Sequence, residues 1–327
     1  MRGWKLLLNG LRVFALAAWV LPVAAQQDAW PSKPLRLIVP FTPGGVTDTS
    51  GRVIADALGK RLGQQVVVDN KPGASGNIGT QMAATAAPDG YTLVLGFDGT
   101  LVINPHVFPK VPFDTLKDFA SVGKIGDAML IIVAHPSVAA RNLQEMIALS
   151  KKEAGGLSYG TSGTGGTPHI AGELLRQRTG ANLQHVPYKG GGQALTDVIG
   201  GAIPLVYTAV AGAQSHVKSG KLKGIAVSSA ARASSLPDVP TFAESGVADF
   251  NVSSWVGLLV PARTPPAIVQ RLNTELNAVL ADAAVRERLA VLGIEPTPGT
   301  PEQFQEEIRR DLARYGAVVR AAGIKAE

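Results

Sequence analysis

Two glycine-rich turns carry the residue types best suited to holding a small anion. The first is Phe41-Thr42-Pro43-Gly44-Gly45-Val46-Thr47-Asp48, between a strand-like and a helix-like run. Adjacent glycines let the backbone turn its N–H groups toward a ligand. A helix N-terminus adds unpaired donors and the positive end of the dipole, so no lysine is required. Asp48 fits the first helical turn as a structural carboxylate, and Pro-Gly-Gly by itself is only a turn signal. The second turn is Ser158-Tyr159-Gly160-Thr161-Ser162-Gly163-Thr164-Gly165-Gly166-Thr167-Pro168-His169. Thr161, Ser162 and Thr164 set hydroxyl donors beside glycine N–H groups, which suits a carboxylate or phosphate oxygen. Thr167 fits an N-cap, Pro168 the first helical position and Gly180 the left-handed helix end.

Other chemistries find less support. No Gly-Lys-Ser/Thr follows either turn, which excludes a Walker A loop. Gly160-Thr161-Ser162-Gly163-Thr164 has Thr where a nucleophile elbow needs its second Gly. Ser162 with His169 is the one local nucleophile–base pairing a hydrolase would use, and both lie on one turn. His169 otherwise reads as a packed or capping histidine, and His185, in a β-rich run, as structural. The five histidines lack metal-ligand spacing, and no carboxylate pair stands out as an acid/base couple. No metal and no cofactor are expected. A third turn, Pro187-Tyr188-Lys189-Gly190-Gly191-Gly192-Gln193, offers Tyr188 as a pocket wall; Lys189 either meets an anion or points to water.

Composition narrows the class further. The chain has 327 residues, 46% hydrophobic and only 17% charged, which excludes a disordered protein and suggests about two lobes. The absence of cysteine excludes disulfide scaffolds, thiolate metal sites, a cysteine nucleophile and a lipidated N-terminal cysteine. Residues 1–25 read as a cleavable signal peptide: Arg2, Lys5 and Arg12, then the apolar run 13–23, then Val23-Ala24-Ala25 before Gln26. Eleven apolar residues interrupted by Pro22 are too short for a span of about 18. An exported, soluble periplasmic chain is expected. Its formal charge drops from +6 to +3 once three basic and no acidic side chains leave. No basic stripe remains for nucleic acid.

The elements that must position these turns alternate between strand and helix. Strands are predicted over 35–40, 65–69, 91–96, 129–135, 157–160, 184–186, 203–207 and 224–228. Helices are predicted over 46–62, 78–86, 143–152, 168–178, 194–200 and 213–219. That alternation implies parallel sheets covered on both faces. The C-terminal third is helical: Thr264-Pro265 opens one helix, Asp282 caps a short one, and Thr300-Pro301 with Gln303 resembles a capping box.

The chain resembles the Bug-type extracytoplasmic solute receptors, the binding proteins of tripartite tricarboxylate transporters. The likeness is carried by Pro40-Phe41-Thr42-Pro43-Gly44-Gly45 with Asp48, Asn70-Lys71-Pro72-Gly73-Ala74-Ser75-Gly76-Asn77-Ile78-Gly79 and Pro88-Asp89-Gly90-Tyr91-Thr92-Leu93. Ser162-Gly163-Thr164-Gly165, His169-Ile170-Ala171-Gly172-Glu173-Leu174 and His185-Val186-Pro187-Tyr188-Lys189-Gly190 follow. Leu236-Pro237-Asp238-Val239-Pro240-Thr241-Phe242 and Ser254-Trp255-Val256-Gly257 complete the set. The resemblance implies an α/β, two-lobed type II periplasmic-binding-protein fold with a ligand cleft between the lobes. Lobe one would comprise 26–131 and 253–327, and lobe two 132–252. It implies a receptor rather than an enzyme, a monomer, a small organic carboxylate as ligand and a membrane transporter of the tripartite tricarboxylate type as partner. A periplasmic sensor signalling through a membrane partner shares these features. Carried over, the ligand would meet Phe41, Thr42, Gly44 and Gly45 on one side and Thr161, Ser162, Thr164, Gly165, Gly166 and Thr167 on the other. Tyr188, Tyr207, Thr208 and Asp98 complete the expected set. Many relatives carry an acid where this chain has Thr208, and in those that bind amino acids such an acid could meet an ammonium; Asp98 is then the remaining acid expected near the cleft, and a ligand with an apolar or neutral body is expected.

Overall fold

The computed structural model describes residues 30–44, 46–188, 191–250 and 252–325; the leader expected over 1–25, Gly45 and Lys189 lie outside them. In chain order the first lobe begins with β1 (Leu35–Val39), α1 (Val46–Leu62), β2 (Val66–Asn70), α2 (Asn77–Ala84), β3 (Thr92–Phe97), α3 (Asn104–Val107) and β4 (Phe119–Ala128). The second lobe holds β5 (Leu130–Ala134), α4 (Leu143–Lys152), β6 (Leu157–Thr161), α5 (Thr167–Thr179), β7 (Leu183–Pro187), α6 (Gly191–Ile199), β8 (Leu205–Ala209), α7 (Val210–Lys218) and β9 (Lys223–Val227). The chain then returns through β10 (Ser254–Pro261), α8 (Pro266–Ala281), α9 (Ala283–Val291), β11 (Ile294–Pro296) and α10 (Pro301–Ala322).

The two sheets run β11-β4-β10-β3-β1-β2 and β7-β6-β8-β5-β9. β1, β2 and β3 are parallel, as are β6, β7 and β8, in keeping with right-handed β–α–β crossovers. The sheets are nonetheless mixed, not parallel throughout. β10 pairs antiparallel with β3 and β4, and β5 antiparallel with β8 and β9, because these strands enter from the other lobe. Only Met129 separates β4 in one sheet from β5 in the other. Beside that crossing the Ser253 hydroxyl donates to Asp127 Oδ1 at 2.6 Å.

The sequence reading missed β4, β10, β11 and the helical segment before β4. β4 (FASVGKIGDA) carries glycines and a lysine that break its pattern. Lys124 is tolerated there because Asp127 and Glu307 lie 2.8 and 2.7 Å away; they outweigh burial and raise its pKa above the usual lysine value. β10 (SWVGLLVP) is buried along its whole length and so shows no alternation.

Local signals fared better. On α1, Val53, Ile54, Leu58 and Leu62 are buried on one face against the sheet, each worth about 1.5–3 kcal/mol of transfer free energy. Asp282 accepts from the N–H groups of Ala284 and Val285, and Thr300 and Gln303 form a reciprocal capping box on α10. Thr167 is not the N-cap of α5; Gly166 holds that position, and the Thr167 hydroxyl is engaged elsewhere. One hydrophobic cluster runs through both lobes, joining Ile38, Val94 and Leu101 to Leu130, Tyr159 and Ile170, with Phe304, Ile308 and Tyr315 of α10.

Candidate functional site

A cleft of about 550 Å³ opens between the lobes. Two larger grooves, of about 640 and 740 Å³, lie on the outer face of the first lobe and meet neither glycine turn's partner loop. The first lobe contributes the edge-to-face pair Phe41 and Phe97, whose ring centroids are 5.5 Å apart. It also contributes Ser75, then Gly99 and Thr100 from a π-helical turn (Gly99–Ile103), and Asn104 at the start of α3. Val107 and Phe108 extend the apolar wall. The second lobe contributes Ser162 to Gly166, Pro187 and Tyr188. No charged side chain lines the cleft among the described residues.

The first glycine turn is built from within. Asp48, only 3% exposed on the opening turn of α1, accepts from the Gly44 N–H at 2.9 Å, from Arg52 Nε at 3.0 Å and from Asn70 Nδ2 at 2.9 Å. Asn70 Nδ2 also reaches the Phe41 carbonyl at 3.0 Å. Burial alone would raise the Asp48 pKa, but these donors outweigh it and hold it below the usual carboxylate value. Asp48 is thus the structural carboxylate the sequence suggested. The Gly44 N–H, expected to face a ligand, is taken by Asp48. Thr42 and Gly44 are exposed and lie outside the cleft lining.

Ser75 adopts a left-handed backbone at φ 53°, beside Ala74 at 47° and Gly76 at 90°. A non-glycine residue there is costly unless its surroundings fix it. Two donors do so: Thr100 Oγ1 at 2.9 Å and Asn104 Nδ2 at 3.0 Å both reach the Ser75 carbonyl. Ser75, Phe97, Gly99, Thr100, Asn104, Val107, Phe108, Gly163 and Pro187 line the cleft although the sequence reading did not select them. For Ser75 the signal in the sequence is the pair of flanking glycines, Gly73 and Gly76, that its turn requires.

The second loop leaves β6 at Thr161 and enters α5 at Thr167. Gly163 at φ 138° and Gly165 at φ 77° make the reversal, where other residues would be strained. Thr161 is fully buried; its hydroxyl donates to the Gly163 carbonyl at 3.1 Å, accepts from the Gly163 N–H and meets His185 Nε2 at 2.7 Å. The Gly165 N–H donates to His169 Nδ1 at 3.0 Å. Ser162 and Thr164 are exposed, and neither N–H nor hydroxyl of either bonds to another described residue. His169 therefore braces the loop and does not stand as a free base beside Ser162. Tyr188 walls the cleft with its hydroxyl on Asp197 at 2.9 Å.

Five expected contacts, Thr161, Thr167, Tyr207, Thr208 and Asp98, are buried behind the cleft lining. Tyr207 is fully buried and stacked on Phe242, and Thr208 is 8% exposed. Asp98 is fully buried at the end of β3. Its Oδ2 accepts from Thr167 Oγ1 at 2.8 Å, and its Oδ1 from Ser254 Oγ at 2.6 Å. It therefore ties the first lobe to α5 and to the start of β10, with neither oxygen facing the cleft. Burial pushes this carboxyl up to about 7, the neighbouring Asp311 pushes the same way, and the hydroxyls with the Gly99 N–H oppose both.

Residues 51–324 match the family described as tripartite tricarboxylate transporter family receptor, TctC. Protein BugT of Bordetella pertussis is 37% identical over 312 residues, covering 95% of each chain. A solved R. palustris protein with adipate is 33% identical, superposes with a TM-score of 0.77, and shares 90% of this chain and 99% of its own. MatC of Rhodopseudomonas palustris with bound malate is 30% identical with a TM-score of 0.73, covering 89% of this chain and all of that one. Sheets, loops and sequence likeness agree over nearly the whole described chain, which belongs to the tripartite tricarboxylate transporter receptor family.

Proposed function

We propose that this protein is a periplasmic receptor that closes its lobes on a small carboxylate with an apolar or neutral body and hands it to a tripartite tricarboxylate-type membrane transporter. The observation that carries this reading is the lining of the interlobe cleft. Open N–H and hydroxyl donors of Ser162 and Thr164 precede the N-terminus of α5, and Phe41, Phe97, Val107 and Phe108 face them. Neutral donors at a helix N-terminus suit an anion, and the apolar wall suits a carbon chain. An ammonium group finds no acid in this lining, because both oxygens of Asp98 are engaged behind it. The solved relatives with adipate and malate are both complexes of small dicarboxylates. Residues 26–131 with 253–327 would form one lobe and 132–252 the other, the chain acting as a monomer after loss of its leader.

The test is a thermal-shift screen of protein unfolded and refolded to strip carried-over ligand, followed by isothermal titration. The panel holds C3–C6 di- and tricarboxylates, aromatic carboxylates, amino acids and sugars. Ligand at about 100 times its Kd stabilises by roughly 2.7 kcal/mol. A shift confined to carboxylates is expected. Tighter binding of aspartate or glutamate than of any non-amino carboxylate overturns the neutral-body reading, and a response to sugars alone overturns the anion reading.

A further inference from the structure

Behind the second loop, His169 of α5 and His185 of β7 stack face to face, with ring centroids 3.6 Å apart and planes 10° from parallel. Each holds one end of the loop. His169 Nδ1 accepts from the Gly165 N–H at 3.0 Å, and His185 Nε2 bonds Thr161 Oγ1 at 2.7 Å. The Thr161 hydroxyl passes the restraint on to Gly163. The anchors thus fall on Thr161, Gly163 and Gly165, and the residues between them, Ser162 and Thr164, are the exposed ones.

We infer that the stacked imidazoles of His169 and His185 are positioning residues that clamp the loop at both ends and hold its cleft-facing donors in place before a ligand arrives. This rests on reading the loop as a ligand-holding one.

Chemistry fixes the protonation this needs. An N–H donor pointing at His169 Nδ1 requires a lone pair there, so the proton of the neutral ring sits on Nε2. Glu173 Oε1 is 3.9 Å from that Nε2, too far for a hydrogen bond. Glu173 is instead held by Arg176 at 2.6 Å and by the Tyr159 hydroxyl at 3.4 Å. A proton on Nδ1 would set two donors against each other and release Gly165. Burial keeps both rings neutral, holding His169 at about 3 and His185 at about 4, with the His185 ring and Arg176 adding to the effect on His169.

Two variants separate positioning from packing. His169→Asn keeps an acceptor near the Nδ1 position, whereas His169→Phe keeps a flat ring on His185 and removes the acceptor. In ligand-free protein labelled with ¹⁵N-glycine and ¹⁵N-histidine, the wild type is expected to show an unprotonated His169 Nδ1 and a protected Gly165 amide. Protection persists in His169→Asn and is lost in His169→Phe while both remain folded. Titration with adipate then shows roughly tenfold weaker binding for His169→Phe, the fold-change of about one net hydrogen bond, and near-native binding for His169→Asn. Unchanged Gly165 exchange in His169→Phe, or a protonated Nδ1 in the wild type, overturns the inference. So does native adipate affinity in a His169→Phe protein whose Gly165 has become exchangeable. If wild type does not bind adipate, the choice of ligand fails and the exchange measurements alone decide the clamp. If His169→Phe does not fold, the wild-type tautomer and the His169→Asn exchange decide it.

Discussion

Asp98 has a residue type suited to meeting a ligand ammonium, yet its environment gives it another task. Fully buried and hydrogen-bonded to hydroxyls of both lobes, it joins three elements at one point. Its raised pKa has a definite consequence for stability. A carboxyl at about 7 in the fold and near 4 unfolded favours folding most below pH 4, and that contribution is lost as pH rises through 7. In urea denaturation between pH 4 and 8, Asp98→Asn is expected to lose this part of the pH dependence, so the wild-type advantage over the variant shrinks as pH rises. An unchanged difference across that range would falsify the assignment. Asp48 behaves in the opposite sense: its pKa is lowered, so its stabilisation is present at neutral pH and disappears as pH falls below the ordinary carboxylate value. Asp48→Ala removes the acceptor of the Gly44 N–H, of Arg52 and of Asn70 together. Destabilisation of about 1–3 kcal/mol by chemical denaturation at pH 7 is the expected result.

At the scale of elements, α5 is placed by a close approach. A Cβ at Gly172 would stand 2.3 Å from the Tyr159 hydroxyl on β6, so only glycine lets the helix lie this close to the strand. Gly172→Ala must push α5, and His169 with it, away from the loop. Overpacking of about 1–3 kcal/mol is expected, together with loss of the Gly165 amide protection. Wild-type stability in Gly172→Ala would show the helix to be free to shift. At α10, Thr300→Ala removes one half of a complete capping box and is expected to cost about 1 kcal/mol without touching the cleft. Ligand affinity unchanged alongside lower denaturant resistance is the pattern to look for.

For the whole molecule, the lobes share apolar packing as well as two crossings. Ile38 and Val94 belong to the same buried cluster as Tyr159 and Ile170, with Phe304, Ile308 and Tyr315 of α10 in it too. Exposing either lobe would strip the other of packed neighbours, so calorimetry of ligand-free protein is expected to show one cooperative transition. Two resolved transitions would mean that the separate clusters around Val53 and Leu276 in one lobe and Val206 and Val227 in the other outweigh the shared one. The chain passes between the two sheets at Met129 and again before β10, and the Ser253–Asp127 hydrogen bond ties these passages together.

Much of this protein was legible in its residues because the interactions concerned are local. The caps at Asp282 and Thr300, the left-handed glycine at Gly180, the helix over 46–62 and the place of Asp48 in its first turn all depend on residues within a few positions of chain. Both glycine turns were visible for the same reason, as was the likeness to solute receptors. What only the tertiary structure decided depends on partners far apart in sequence. The antiparallel passage of β10 and β5 follows from where the chain re-enters each sheet. Asp98 was drawn from the cleft by hydroxyls 69 and 156 residues away. The Gly44 N–H was occupied by a carboxylate whose own position depends on Asn70. Thr100, Asn104 and Phe97 became cleft wall only because the second lobe's loop arrives opposite them. Turn chemistry is written in neighbouring residues; which donors remain free to meet a ligand is settled by everything that packs behind them.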